Sequence, residues 1–122
     1  MITQATELAA SSLRFTAADR VRQSRDYQRS RAHGRRASAR TFALEITPNA
    51  RTTRLGLVVS RRVGGAVVRN RVKRGVREWF RSNRSRLPMA VDLVVIARTG
   101  AAALKVAAMH IELNELVQRA TR

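Results

Sequence analysis

The chain reads as a single α+β domain, helices packed on one sheet. Its 122 residues with 44% hydrophobic content are enough for one core and too few for two. Two stretches, 40–47 and 54–60, have strand character, and 91–97 is a short apolar run of strand length. Helix-period stretches at 20–32, 66–82 and 102–120 stand before, between and after them. The order helix, strands, helix, strand, helix argues for this class.

Each element has its own local reason. Residues 1–19 contain Glu7 and Asp19 and lack an apolar signal-type region, so they are expected to form an extension, poorly ordered or a short helix, ahead of a domain over 20–122. "RVRQSRDYQRSRA" (20–32) is polar and free of Gly and Pro until Gly34, which suits a short helix with Val21 and Tyr27 on its apolar side. In "RTFALEIT" (40–47), Phe42, Leu44 and Ile46 share one face and Thr41, Ala43, Glu45 and Thr47 the other, the pattern of a half-buried strand. "PNARTT" (48–53) is a turn, and its hairpin length makes "RLGLVVS" (54–60) the expected antiparallel partner of the strand before it. Gly64 and Gly65 lead into the helix at 66–82, which ends at "NRSRLP" because Pro88 cannot continue it. "VDLVVIA" (91–97) is the most apolar strand and belongs inside the sheet. The last helix (102–120) keeps Val106, Met109, Leu113, Leu116, Val117 and Ala120 at helical spacing.

Charge narrows the function. The net charge is +17, from 25 Lys and Arg against 8 Asp and Glu. From Arg20 to Arg86 there are 20 cations and 3 acids, so the middle of the chain carries the whole imbalance while the flanks cancel. Such a repulsive load points to a polyanionic partner. Only Lys73 and Lys105 among the cations are lysine, and guanidinium forks grip phosphate oxygens and stack on bases, which favours nucleic acid. The absence of cysteine excludes disulfides and thiolate metal sites. The longest apolar run, Leu93 to Ala97, is far short of a membrane span.

The 66–82 helix gathers most of this signal. At about 100° per residue, Val68, Val72, Val76 and Trp79 fall within roughly 80° of one another, with Phe80 at the edge of the stripe. Asn70, Lys73, Arg74, Arg77 and Arg81 centre about 140° away on the same wheel, flanked by Arg69 and Arg71. The helix thus has an apolar back and a cationic front. Glu78 is its one acid, whereas a merely solvated helix interleaves both signs. Asn70 is a poor helix-interior residue whose amide suits base edges or backbone groups.

These residues carry a family resemblance. "AVVRNRVKRGVRE", approached by "SRRVGGAV", resembles the signature of the bacterial ribonuclease P protein component. "RVRQSRDYQ" is similar to that family's first helix, "HGRR" and "RTFAL" to its early strands, "RLGLVVSRRV" to the strand entering the motif helix and "DLVVIAR" to the strand after it. The likeness covers about residues 20–100. It implies an α/β sandwich in the order αβββαβα with a left-handed βαβ crossover around the motif helix, like the second domain of ribosomal protein S5. It also implies the protein subunit of a ribonucleoprotein endoribonuclease. The partners are a catalytic RNA, which removes the 5′ leader of precursor tRNA with Mg2+ held mainly by that RNA, and the precursor tRNA itself. No catalytic residue and no protein-bound metal are expected, nor a DNA or membrane partner, and the location is cytoplasmic. By the same likeness Arg69, Asn70, Arg71, Lys73, Arg74 and Arg77 face the catalytic RNA, and Tyr27, Arg31, Phe42, Arg61 and Arg62 the leader. Two positions depart from the family pattern: Arg31 and Glu45 stand where aromatic residues are common. Phe42, alternating with Leu44 and Ile46, suits core packing equally well.

Other chemistry finds no support in the residues. "GGAVVRNRVK" lacks the Gly-Lys-Ser/Thr ending of a nucleotide loop. His33 and His110 have no ligand-spaced partners. Glu112 and Glu115, one turn apart, suit a solvated helix face better than acid/base work. A generic ribosomal-RNA binder and a DNA-reading module remain the competing readings.

Overall fold

The computed structural model describes residues 17–87 and 89–122, so the expectations for 1–16 and for Pro88 lie outside the described residues. The elements are α1 (Ser24–His33), β1 (Arg35–Ser38), β2 (Phe42–Pro48), β3 (Arg54–Val59), α2 (Ala66–Asn83), β4 (Val91–Ala97) and α3 (Val106–Thr121). The order is αβββαβα on one four-stranded sheet.

The sheet order is β1-β2-β4-β3, which corrects one expectation. β2 and β3 do not pair as a hairpin despite their short connection. β4 lies between them, antiparallel to β2 (Glu45 opposite Val94) and parallel to β3 (Gly56 opposite Val94). The physical reason is apolar content. "VDLVVIA" is buried along nearly its whole length, and inserting it between two strands covers both its edges and both its faces.

Alternation in β2 and β4 separates the two faces of the sheet. Phe42, Leu44, Ile46, Leu93 and Val95 join one cluster with Val72, Val76, Trp79 and Phe80 of α2 and Met109, Leu113, Leu116 and Ala120 of α3. The stripe read on the 66–82 helix is therefore the core contact, each side chain contributing about 1.5–3 kcal/mol on full burial. α2 and α3 approach closely at Gly75, where an added Cβ would lie 2.9 Å from the Met109 sulfur. The Gly75 carbonyl faces His110 Nε2 at 3.1 Å, and Trp79 Nε1 donates to Asn114 Oδ1 at 2.8 Å. Glu112, expected on a solvated face, instead accepts from the Thr41 backbone N–H at 3.3 Å.

The opposite face is not open, as a half-buried β2 would require. α1 lies across it, and Thr41 through Thr47 are all buried. Helix boundaries shift as well. Residues 20–23 precede α1 in extended form, with Arg20 bridging to Leu55 and Val21 N–H bonded to the Leu55 carbonyl at 2.9 Å. Ahead of them, Ala17–Asp19 is a single 3-10 turn, and Asp19 pairs with Arg84 at 3.0 Å. Likewise α3 begins at Val106, after a 3-10 turn over Thr99–Ala103.

Candidate nucleic-acid interface

Two faces that meet near the end of β3 hold most of the residues singled out by sequence. The first is the front of α2. With its back sealed in the core, Asn70, Arg71, Arg74 and Arg81 are exposed and Arg69, Lys73 and Arg77 half-exposed. The approach is shaped by Gly64, where a Cβ would come within 2.9 Å of the Val68 side chain. The Arg69 N–H closes the first helical hydrogen bond, to the Gly65 carbonyl, at 2.9 Å. The Arg69 Nε is shielded from water and meets no hydrogen-bond acceptor among the described residues, so the fold itself gains little from that guanidinium. Partial burial, reinforced by the charge of Arg20, pushes the Arg77 guanidinium below its ordinary value. Arg71 is placed differently from the rest, because its Nη2 donates to the Ala102 carbonyl and ties α2 to the turn before α3.

The second face is the groove beside α1. The Tyr27 ring lies on Gly56 of β3, where an added Cβ would be 2.9 Å from Cε1, and its hydroxyl donates to the Val21 carbonyl at 3.0 Å. Farther along α1, Ser30 is buried and meets Thr47 Oγ1 at 3.3 Å. These contacts fix α1 on the sheet and leave a groove of about 340 Å³ along one flank. Tyr27, Gln28 and Arg31 line it from the helix, and Glu45, Val58, Val94 and Ile96 from the sheet. Burial raises the Tyr27 phenol above its usual range, a hydrogen bond to the Leu57 backbone working against the shift. The Glu45 side chain is only 4% exposed, and its one ion-pair partner among the described residues is Arg36 at 3.6 Å.

The groove brings together some of the expected leader residues and not others. Tyr27 and Arg31 line it. Phe42 does not: its exposure is 0% and its ring belongs to the core on the far face of the sheet, so the stacking surface expected of it is closed. Arg61 and Arg62 sit in a 3-10 turn (Arg61–Val63) that starts two residues after β3 ends, exposed between the groove and α2 rather than in the groove wall. Gln28 and Ile96 were not singled out as groove residues, and Glu45 was named only as a departure from the family pattern. Parity offers the signal for Glu45, since it stands on the strand face opposite Phe42. Among the described residues no three His, Cys, Asp or Glu side chains come together in a group that could hold a metal ion.

Comparison with known proteins agrees with this architecture. A family model described as "Ribonuclease P" matches residues 15–121. The ribonuclease P protein component of Syntrophobacter fumaroxidans is 47% identical over 92 residues, covering 74% of this chain and 77% of that protein. The Desulfovibrio desulfuricans counterpart is 40% identical over 108 residues, covering 84% and 83%. Among solved structures, the Staphylococcus aureus RNase P protein superposes with a TM-score of 0.78 at 32% identity, over 84% of this chain and 94% of that one. The Thermotoga maritima protein gives 0.73 at 32% identity, over 82% and 96%. With a matching family model over most of its length, relatives up to 47% identical and solved structures that share its fold, the chain belongs to the ribonuclease P protein family.

Proposed function

We propose that this protein is the subunit of ribonuclease P that holds the catalytic RNA on the front of α2 and the single-stranded 5′ leader of precursor tRNA in the groove beside α1. The observation that carries the reading is a helix whose apolar back is sealed in the core while Asn70, Lys73, Arg74 and Arg81 face outward, joined by the Arg61–Arg62 turn to a groove lined by Tyr27 and Arg31. Guanidinium and ammonium groups on a fixed helix release counterions from RNA phosphates, which supplies affinity without base pairing. The groove has a largely apolar lining, from Val58, Val94, Ile96 and one aromatic ring, with a few polar side chains, which suits an unpaired strand rather than a duplex. Because its aromatic content is low, leader binding leans on Arg31 and on the acceptor oxygens of Glu45 more than on stacking.

Hydrolysis itself belongs to the RNA and to the magnesium ions it holds. The protein positions substrate, and by neutralising phosphate charge it lowers the magnesium concentration at which the two RNAs associate. The test is reconstitution of precursor-tRNA cleavage with the cognate catalytic RNA at low magnesium, with ribosomal RNA and duplex DNA as competitors. Stimulated 5′-end maturation that resists both competitors is the expected result. No stimulation at any protein concentration would overturn the reading.

A further inference from the structure

The flank of α1 away from the groove carries a second set of cations that neither face above uses. At about 100° per residue, Ser24, Gln28 and Arg31 fall on one side of the helix, and Arg25, Asp26 and Arg29 on the other. That second side borders a cavity of about 500 Å³ between the start of α1 and the connection from β2 to β3. Four guanidinium groups line it, those of Arg25, Arg29, Arg51 and Arg54, against one lining carboxylate, Asp26.

The cavity is built rather than incidental. Arg29 Nη2 donates to the Pro48 carbonyl at 2.9 Å, which pins that side chain across the end of β2. Arg54 donates to both carboxylate oxygens of buried Asp92, through Nε at 2.8 Å and Nη2 at 2.7 Å, and reaches Asp26 at 3.5 Å. Arg51 stands on a turn closed by Asn49, whose Oδ1 accepts the Arg51 N–H at 2.8 Å and whose Nδ2 donates to the Thr52 carbonyl at 2.9 Å. The same amide donates to Asp92 at 2.7 Å, so turn and ion pair form one unit. Among the described residues nothing engages the guanidinium of Arg25 or of Arg51. Two guanidinium groups held in place and two left unengaged around one concavity repel each other, and an anion with several acceptor oxygens offsets that repulsion. The N-terminal turn of α1 adds its dipole in the same sense.

We infer that this cavity binds a backbone phosphate of an RNA strand, with Arg25 and Arg51 as the closing pair. Its place on the far flank of α1 makes it the next contact for a strand that leaves the groove and crosses the helix. That identity of the strand, the distal part of the leader, rests on the function proposed above; the phosphate site itself does not.

The experiment uses the full chain and the double variant Arg25→Ala/Arg51→Ala, which leaves Arg54, Asn49 and Asp92 intact. Inorganic phosphate is titrated into each while backbone amide shifts are followed. Saturable shifts at residues 49–52 and at the start of α1, lost in the double variant, are expected; shifts confined to α2, or unchanged in the variant, would overturn the site. Binding to precursor tRNA with a long or a shortened leader is then compared. Loss of the two arginines should weaken long-leader binding about tenfold and lower its salt slope by about 1, with the short-leader complex unaffected. Equal weakening for both leaders would remove the distal leader as the occupant. Failure of the wild-type protein to stimulate cleavage would count against the function reading and leave the phosphate arm standing.

Discussion

Phe42 and Glu45 stand three residues apart on β2 and face opposite sides of the sheet. The ring is sealed between sheet and helices, while the carboxylate lies in the floor of the groove. Alternation makes that division legible, but which face meets an open groove depends on where α1 docks. Tyr27 sets the docking. It is the one tyrosine in the chain, so absorbance of the ionised phenol reports on it alone. Its phenol is raised by burial, and the sign follows: folding stability is unaffected below about pH 10 and is lost as pH rises beyond it, because the unfolded chain ionises first. A spectrophotometric titration should give a midpoint above 10 for the folded protein and one near 10 in denaturant. Gly56→Ala pushes a methyl against the ring, and should lower stability by about 1–3 kcal/mol and return the midpoint toward its unfolded value. An unchanged midpoint would show that the ring does not rest on that strand.

α2 has two functions that its wheel keeps apart. Val72, Val76, Trp79 and Phe80 are buried, whereas the cations opposite them are partly exposed (Arg69, Lys73, Arg77) or exposed (Arg74, Arg81). Replacing Lys73 and Arg74 with Ala should therefore leave the thermal midpoint nearly unchanged, reduce the salt slope of catalytic-RNA binding by about 2, and lower affinity for all RNA sequences alike. A salt-independent loss would move the interface elsewhere. The exception among the cations is Arg71. On the wheel it is a flank of the front, yet its contact with the Ala102 carbonyl depends on where the chain returns after β4, which helical periodicity does not encode.

At the scale of the molecule, the Asp92–Arg54–Asn49 unit joins the start of β3, the start of β4 and the connecting turn. Asp92 is 1% exposed, so removing Arg54 would strand its carboxylate with Asn49 as its remaining donor among the described residues. Arg54→Met is expected to cost about 3 kcal/mol, the low end for a broken buried pair, because Arg54 keeps some contact with water. Denaturant unfolding followed by Trp79, the one tryptophan and itself 2% exposed, would measure it; a loss below about 1 kcal/mol would demote the pair to a surface contact.

Apart from β1, which only the family resemblance of "HGRR" suggested, the sequence by itself determined the fold class, the helices and strands to within a few residues, the two sides of α2 and the basic middle of the chain. All of these follow from local periodicity, turn chemistry and composition, which act over a few residues. Only the tertiary structure decided that β4 separates β2 from β3, that α1 covers the second face of the sheet, that Phe42 is core while Glu45 lines the groove, and that Arg25, Arg29, Arg51 and Arg54 surround one cavity. Those outcomes turn on which strand gains most from being buried on all sides, a comparison between distant segments that no local pattern contains.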